Sequence, residues 1–342
     1  MNVGVIGYGY WGPNLVRNFA EIPACKVAAV ADLNPDRLKL LHARYPGVRT
    51  TMWAEEVIAD TNIDVVVIAT PVFTHFDLAM RALQEGKHVL VEKPITTNLD
   101  SARRLADEAD RRGLVLMVDH TFVYHGAVRR LKEVLDHGDL GDLYYFDSVR
   151  VNLGLFQPDV SVLWDLATHD LSILNYLIPA RPSAVAATGI SHIYGRPADI
   201  AYLTLFYDSN FIAHVHVNWL APVKVRRTLI GGNRQMAIYD DLEQSEKIKI
   251  YDKGITVNGN PEEVYKLLIG YRTGDMRAPH FDMTEALRTE VSHLVDCVEN
   301  GKKPLTDGEC GADVVEILEL ATRSINENGR PVEVSSGRSV AA

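Results

Sequence analysis

The sequence predicts an α/β protein of two domains: a doubly wound parallel sheet, then an α+β domain with a large open, mostly antiparallel sheet. Three observations lead there. Its 342 residues exceed the usual span of one hydrophobic core. The first 120 residues alternate continuous apolar runs with amphipathic stretches, the pattern of parallel strands covered by helices on both faces. Beyond Leu135 the runs lengthen and partly alternate between apolar and polar, as in strands with one solvated face.

Taken in order, strands are expected at Val3 to Ile6, Lys26 to Ala31, Val65 to Ala69, His88 to Val91 and Leu114 to Val118, with helices at about 14–20, 35–44, 75–85 and 99–112. A connecting helix follows from Tyr124 to Leu135. The second set of strands is expected at 143–152, 183–193, 200–207, 211–219, 225–231, 235–239 and 247–251, separated by turn signals such as Gly231-Gly232-Asn233. One helix, Trp164 to Leu177, interrupts them, and helices at 284–299 and 309–326 close the chain. The expected division is 1–122 for the parallel-sheet domain and 123–342 for the second domain. The segment from Tyr251 to His280 is too long for a simple connection and reads equally as an arm or as a solvated loop.

Composition excludes several classes. With 35 Lys plus Arg against 45 Asp plus Glu, the net charge of −10 repels phosphate backbones and anionic lipid, so nucleic acid is not an expected partner. The longest apolar run, Ile63 to Ala69, is far shorter than the ~20 residues that cross a bilayer, and no basic stretch precedes an apolar run at the amino terminus. No membrane contact and a cytoplasmic location are expected. Cys25, Cys297 and Cys310 are few, odd in number and far apart, which fits inert thiols in a reducing compartment.

The first strand runs into Gly7-Tyr8-Gly9-Tyr10-Trp11-Gly12, and a helical pattern follows. Glycines there let the turn close tightly and let a pyrophosphate approach the amides at the helix start. Asp32, twenty residues past Gly12 at the end of the second strand, can accept both ribose hydroxyls of adenosine and would repel the 2′-phosphate of NADP. Together these features predict a Rossmann domain that binds NAD; Arg37, the nearest cation, could weaken the preference over NADP.

Thr70-Pro71 with Thr74-His75 follows the strand ending at Ala69, at the carboxyl edge where such sheets bind ligands; Thr74 could equally be a simple helix cap. Glu92-Lys93-Pro94 lies at the same edge. Charge repulsion from an oxidised nicotinamide, with desolvation, would favour proton release by Lys93, although a surface lysine at a strand end is an equal reading. Asp165 and His169 are four apart and share a face if helical, so the carboxylate could orient the imidazole for proton transfer or serve structure alone. Asp119, His120 and His125 match no common metal spacing, so no metal is expected, and His120 reads as a residue bordering the nicotinamide pocket. His214 and His216 read as sheet-face residues. Lys224, Arg226 and Arg227 could hold a substrate anion or solvate a strand, with solvation favoured.

In the order and spacing of these motifs the whole chain resembles the Gfo/Idh/MocA family, named for glucose-fructose oxidoreductase, inositol dehydrogenase and a rhizopine-catabolism protein. The stretch Val162 to Leu171, with Val217-Asn218-Trp219-Leu220 and Tyr271-Arg272, looks most like the branch acting on sugars in polysaccharide or glycosylated natural-product pathways. The resemblance implies a Lys93, Asp165 and His169 constellation across the nicotinamide, a cis Lys93-Pro94 bond, and a homodimer or homotetramer formed through the open sheet face.

Cofactor contacts are then expected at Gly7, Tyr8, Gly9, Tyr10, Trp11, Gly12, Asp32, Thr70, Pro71, His75, Glu92, Lys93 and His120. Substrate contacts are expected at Lys93, Tyr124, Asn152, Asp165, His169, Arg226 and Tyr271. The expected activity is NAD-dependent interconversion of a secondary alcohol and ketone on a sugar ring, carried by a nucleotide or a natural-product aglycone. Hydride passes between nicotinamide C4 and the ring carbon, and His169 exchanges the oxygen's proton. Two alternatives are an NAD-dependent glycosidase working by transient oxidation and a non-catalytic NAD-binding regulator.

Overall fold

A computed structural model of the protein describes residues 1–154, 160–193, 195–257 and 269–334. In chain order it begins β1 (Asn2–Ile6), α1 (Gly12–Glu21), β2 (Lys26–Ala31), α2 (Pro35–Arg44), β3 (Arg49–Thr51), α3 (Ala54–Ile58), β4 (Val65–Ile68), α4 (His75–Gln84), β5 (His88–Glu92), α5 (Leu99–Arg112) and β6 (Leu116–Asp119). These six strands form one parallel sheet in the order β3-β2-β1-β4-β5-β6. Val65 to Ile68 and Val89 to Val91 are fully buried, as strands covered on both faces must be. The order reverses between β1 and β4, which opens a crevice at the carboxyl ends of these strands.

The chain continues with α6 (Gly126–Asp136), β7 (Leu143–Leu153), a π-helical turn at Leu163–Ala167, α7 (Thr168–Leu177), β8 (Ala184–Ile190), β9 (Ile200–Phe206), β10 (Ile212–Asn218), β11 (Leu220–Gly232), β12 (Met236–Asp240) and β13 (Ile248–Tyr251). Then come β14 (Gly254–Val257), β15 (Ile269–Arg272), β16 (Met276–Arg277), α8 (Ala286–Asn300), α9 (Gly308–Asn326) and β17 (Val332–Glu333). Nine strands make a mixed sheet, β16-β13-β12-β11-β7-β10-β9-β8-β17, antiparallel throughout except for the parallel pair β10–β7. Alternation sets its two faces: Ala201, Leu203, Leu205, Ala213, Val215 and Val217 are buried, while Tyr202, Phe206 and Ile212 are exposed on the other side. His214 and His216 lie on that open face as expected, with His216 stacked on Tyr202 at 4.4 Å.

The chain divides into two compact units, Met1–His125 with Met283–Glu319, and Gly126–Asp282 with the segment starting at Leu320. The expected boundary at 122/123 lies three residues from the first of these, but α8 and most of α9 cluster with the parallel sheet. Small residues and backbone pairing account for it. A Cβ on Gly311 would come within 2.7 Å of Val118 Cγ2, and one on Gly308 within 2.9 Å of Ala106 Cβ, so α9 sits directly against β6 and α5. Val118 N donates to Thr306 O at 2.7 Å, and the Thr306 hydroxyl donates to Val118 O at 2.7 Å.

Two short elements carry no strong sequence signal: β3, whose residues are Arg-Thr-Thr, and the five-residue α3. The Tyr251–His280 segment contributes β14 and β15, which pair in a small sheet of their own; its residues 258–268 lie outside the described residues. No helix among the described residues is long and apolar enough to cross a membrane.

Candidate active site

In the first unit the glycine turn has the shape its residues require. Gly7 adopts φ +99°, and a Cβ there would meet Ala69 O at 2.5 Å; one on Gly12 would meet Gly7 O at 2.3 Å. At Gly9 the nearest atom to an added Cβ is Arg37 Nη1 at 3.6 Å, so that backbone stays open to a ligand. No side chain caps the start of α1, which leaves the helix dipole and its first amides available to an anion. Tyr8 is buried and Tyr10 is largely exposed.

Asp32 ends just past β2 with its carboxylate aimed by two amides: Tyr8 N donates to Oδ2 at 2.7 Å and Asn34 N to Oδ1 at 2.8 Å. Arg37 Nη1 stands 3.5 Å from the same Oδ2. The remaining lone pairs suit ribose hydroxyls. The turn and Asp32 therefore fit a dinucleotide.

At the end of β4, the Thr70 and Thr74 hydroxyls meet at 2.6 Å, and Thr74 Oγ1 donates to Pro71 O at 2.8 Å. His75 is buried, with Nδ1 2.9 Å from Pro94 O and Nε2 2.8 Å from Thr70 O. Burial lowers its pKa, so the neutral ring donates to one carbonyl at a time while bridging the Thr70 and Pro94 turns. The Lys93–Pro94 bond is cis, as the resemblance implies.

Next to Lys93 the structure gathers three carboxyl groups. Asp119 Oδ2 accepts from Trp11 Nε1 at 2.7 Å, and Oδ1 accepts from the Thr121 hydroxyl. Burial, followed by the Asp119 charge, pushes Glu92 well above the usual carboxylate range, although Lys93 N donates to its Oε2 at 2.9 Å. Glu290 of α8 is fully buried against Asp119, receives no aligned N–H or O–H donor among the described residues, and is raised for the same two reasons. Burial thus favours the protonated forms of Glu92 and Glu290, while Asp119 accepts the two fixed donors. His120 is buried beside them and pushed down to about 3 by burial and the Lys93 ammonium, so its ring stays neutral. Glu290 escaped the sequence reading; its signal is a glutamate in the apolar phase of a helix, beside Leu287, Val291 and Leu294.

Tyr124, an expected substrate contact, is a core residue of this unit: 1% exposed, its hydroxyl is 3.1 Å from Thr306 Oγ1. Burial raises the Cys297 thiol to about 11 and Cys310 to about 12, in keeping with inert thiols.

In the second unit Asp165 and His169 do not lie on one regular α-helix. Asp165 is in the π-helical turn, and His169 opens α7 one residue after Thr168, whose hydroxyl donates to Trp164 O at 2.6 Å. Both side chains are half-buried. Asp165 Oδ2 accepts from Trp219 Nε1 at 3.2 Å. Asp170, the next residue after His169, anchors α7 to β7: its carboxylate accepts from Arg150 Nε and from Ser148 Oγ, each at 2.7 Å, in a fully buried pair.

Asn152 lies half-buried on β7. Arg226 pairs with Asp241 at 3.2 Å and Arg227 with Asp240 at 2.7 Å, while Lys224 is exposed, so the basic cluster is split among partners and solvent. Tyr271 is on β15 opposite Ile255. Among the described residues no group of three or more His, Cys, Asp or Glu could hold a metal ion.

Comparison with known proteins finds matches along nearly the whole chain. Residues 1–120 match the NAD-binding Rossmann fold of the GFO_IDH_MocA oxidoreductase family, and residues 132–334 match that family's C-terminal alpha/beta domain. The chain is 29% identical over 319 residues to UDP-N-acetylglucosamine 3-dehydrogenase of Acidithiobacillus ferrooxidans, covering 92% of this chain and 94% of that protein. It is 25% identical over 355 residues to scyllo-inositol 2-dehydrogenase (NAD(+)) of Bacillus subtilis, covering 99% and 96%. The solved structure of the Acidithiobacillus ferrooxidans enzyme has a TM-score of 0.80 and 26% identity, covering 96% of this chain and 98% of the other. The chain belongs to the GFO/IDH/MocA family of oxidoreductases, and NAD is its cofactor.

Proposed function

We propose that the protein is an NAD-dependent dehydrogenase that interconverts a secondary alcohol and a ketone on a sugar ring, with a nucleotide-linked sugar as its substrate class. The observation that carries this reading is the carboxyl edge of the parallel sheet, where a closed glycine turn, an amide-oriented Asp32 and Lys93 follow β1, β2 and β5. The names of the two relatives, a UDP-N-acetylglucosamine 3-dehydrogenase and a scyllo-inositol 2-dehydrogenase, support a hydroxylated ring as substrate.

Bound NAD supplies the hydride acceptor or donor. The chain's own residues bind it and manage the proton. Gly7 to Gly12 and Asp32 would receive pyrophosphate and ribose; Thr70, Pro71, Glu92, Lys93 and His120 would border the nicotinamide, and His75 holds two of those turns together. In oxidation the ring C–H leaves as hydride with both electrons, and the hydroxyl proton goes to His169; reduction reverses both transfers. Lys93 hydrogen-bonds the reacting oxygen, and Asp165 orients the groups around it. Asn152, Arg226 and Tyr271 are assigned to the remainder of the substrate.

The test is turnover of Lys93→Met and His169→Asn with sugar nucleotides and inositols, alongside NADH titration. A loss of about a hundredfold or more in kcat with NADH binding retained supports the assignment. Wild-type turnover by both variants overturns it. Release of free sugar with no net change in reduced cofactor would favour transient oxidation instead.

A further inference from the structure

The π-helical turn at Leu163–Ala167 raises a question that the family reading leaves open: what aims the Asp165 carboxylate? In a regular helix a side chain's direction follows from its place in the 3.6-residue period. A π turn closes hydrogen bonds five residues apart, so that period does not set the direction here. One contact on this carboxylate comes from far along the chain. Trp219, 54 residues away at the junction of β10 and β11, donates its indole N–H to Asp165 Oδ2 at 3.2 Å.

The indole itself is held from several sides. Trp219 is 2% exposed; its own N donates to Asp199 O at 3.0 Å, and its carbonyl accepts from Gly154 N at 2.9 Å. Position 154 must be glycine for the ring to lie where it does, because a Cβ there would come within 2.4 Å of Trp219 Cδ1. Asn218 Oδ1 accepts from Leu220 N at 2.6 Å and braces the same junction. An indole nitrogen can donate but not accept, so it engages Asp165 as an acceptor and holds one named oxygen.

A buried indole N–H needs some partner, and a backbone carbonyl would serve that need without involving a half-exposed carboxylate. We infer that Trp219 is a positioning residue for the reaction: its indole N–H, seated against Gly154, sets the direction of Asp165. This rests on the proposed role of Asp165 and adds the residue through which that role is exerted.

The experiment is a double-mutant cycle of Trp219→Phe and Asp165→Asn, with kcat, KM and melting temperature measured for each variant. Expected for Trp219→Phe is a fall in kcat of ~10-fold to 100-fold, the range for losing a hydrogen bond to a charged group, with KM changed by less than about twofold. In the Asp165→Asn background the same substitution should cost little more, because the carboxylate that the indole directs is already gone. Replacing Trp219 with benzothienylalanine, which keeps the ring shape and lacks the N–H, gives the same reading should Trp219→Phe fold poorly. Full kcat in either Trp219 variant while Asp165→Asn is impaired overturns the inference and leaves the proposed function standing. Losses that multiply independently across the cycle also overturn it, since they mark Trp219 as a structural residue. Full activity of Asp165→Asn overturns the inference together with the role assigned to Asp165, and leaves the dehydrogenase reading to the Lys93 and His169 variants.

Discussion

The indole N–H of Trp11 donates to Asp119 Oδ2 at 2.7 Å, which ties the helix-starting end of the glycine turn to the end of β6. Five positions separate the last glycine of the turn from its first, and this bond anchors them to a strand three places across the sheet from β1. Trp11→Phe keeps the bulk and removes the donor. NADH is expected to bind about tenfold more weakly, measured by fluorescence titration, with little change in melting temperature. An unchanged Kd would show that the tie does not serve the cofactor.

Glu290 gives a pH dependence with a definite sign. Asp119, Glu92 and Thr121 surround its carboxyl, and burial holds its folded pKa well above the ordinary value of about 4.3. Below that ordinary value the folded and unfolded chains both hold the proton. Between the ordinary and the raised value only the folded chain holds it, so stability falls as pH rises through that window. Glu290→Gln removes this slope. Its melting temperature relative to wild type is expected to rise as the pH is raised above the ordinary carboxyl value; a difference that stays constant with pH would contradict the assignment.

Asp32 is the residue proposed to set the choice between cofactors, with Arg37 half-exposed beside it. Asp32→Ala frees that guanidinium for a 2′-phosphate and removes the acceptor of the ribose hydroxyls. The ratio of kcat/KM for NAD over NADP is expected to fall by roughly tenfold or more. A ratio that does not move would place cofactor discrimination elsewhere.

The open face of the nine-stranded sheet carries Tyr202, Phe206 and Ile212 exposed, with His214 and His216 between them. An apolar patch of this kind marks an interaction surface, and a second copy of the chain is the partner proposed for it. Light scattering on the wild type should give a dimer or tetramer mass, and Tyr202→Glu with Ile212→Glu should shift it to the monomer. A monomeric wild type would dismiss this.

Much of the architecture was legible because it rests on local chemistry. Short β-branched runs such as Val65 to Ile68 favour strands buried on both faces, and Gly7 and Gly12 are required by the close approaches they make. What was hidden depends on contacts distant in sequence. The return of α8 and α9 to the parallel sheet rests on Gly308 and Gly311 meeting Ala106 and Val118, which no periodicity announces. Arg49 to Thr51 pairs with β2 without an apolar pattern of its own. At the site, Asp165 and His169 were legible as a spaced pair, but the π turn and the Trp219 donor were not. Tyr124 reads as an available phenol in sequence; its hydroxyl is placed on Thr306 by a loop 182 residues away.

The central claim is that this chain moves a hydride between NAD and a ring carbon bearing a hydroxyl. Incubation of the protein and NAD with uniformly ring-deuterated UDP-N-acetylglucosamine, followed by mass analysis of the nicotinamide, tests it most directly, with deuterated sugar nucleotides and inositols as a panel. The account expects one deuterium in the reduced nicotinamide and a slower turnover than with the protonated sugar. NAD that titrates onto the protein yet acquires no deuterium from any member of the panel would contradict it.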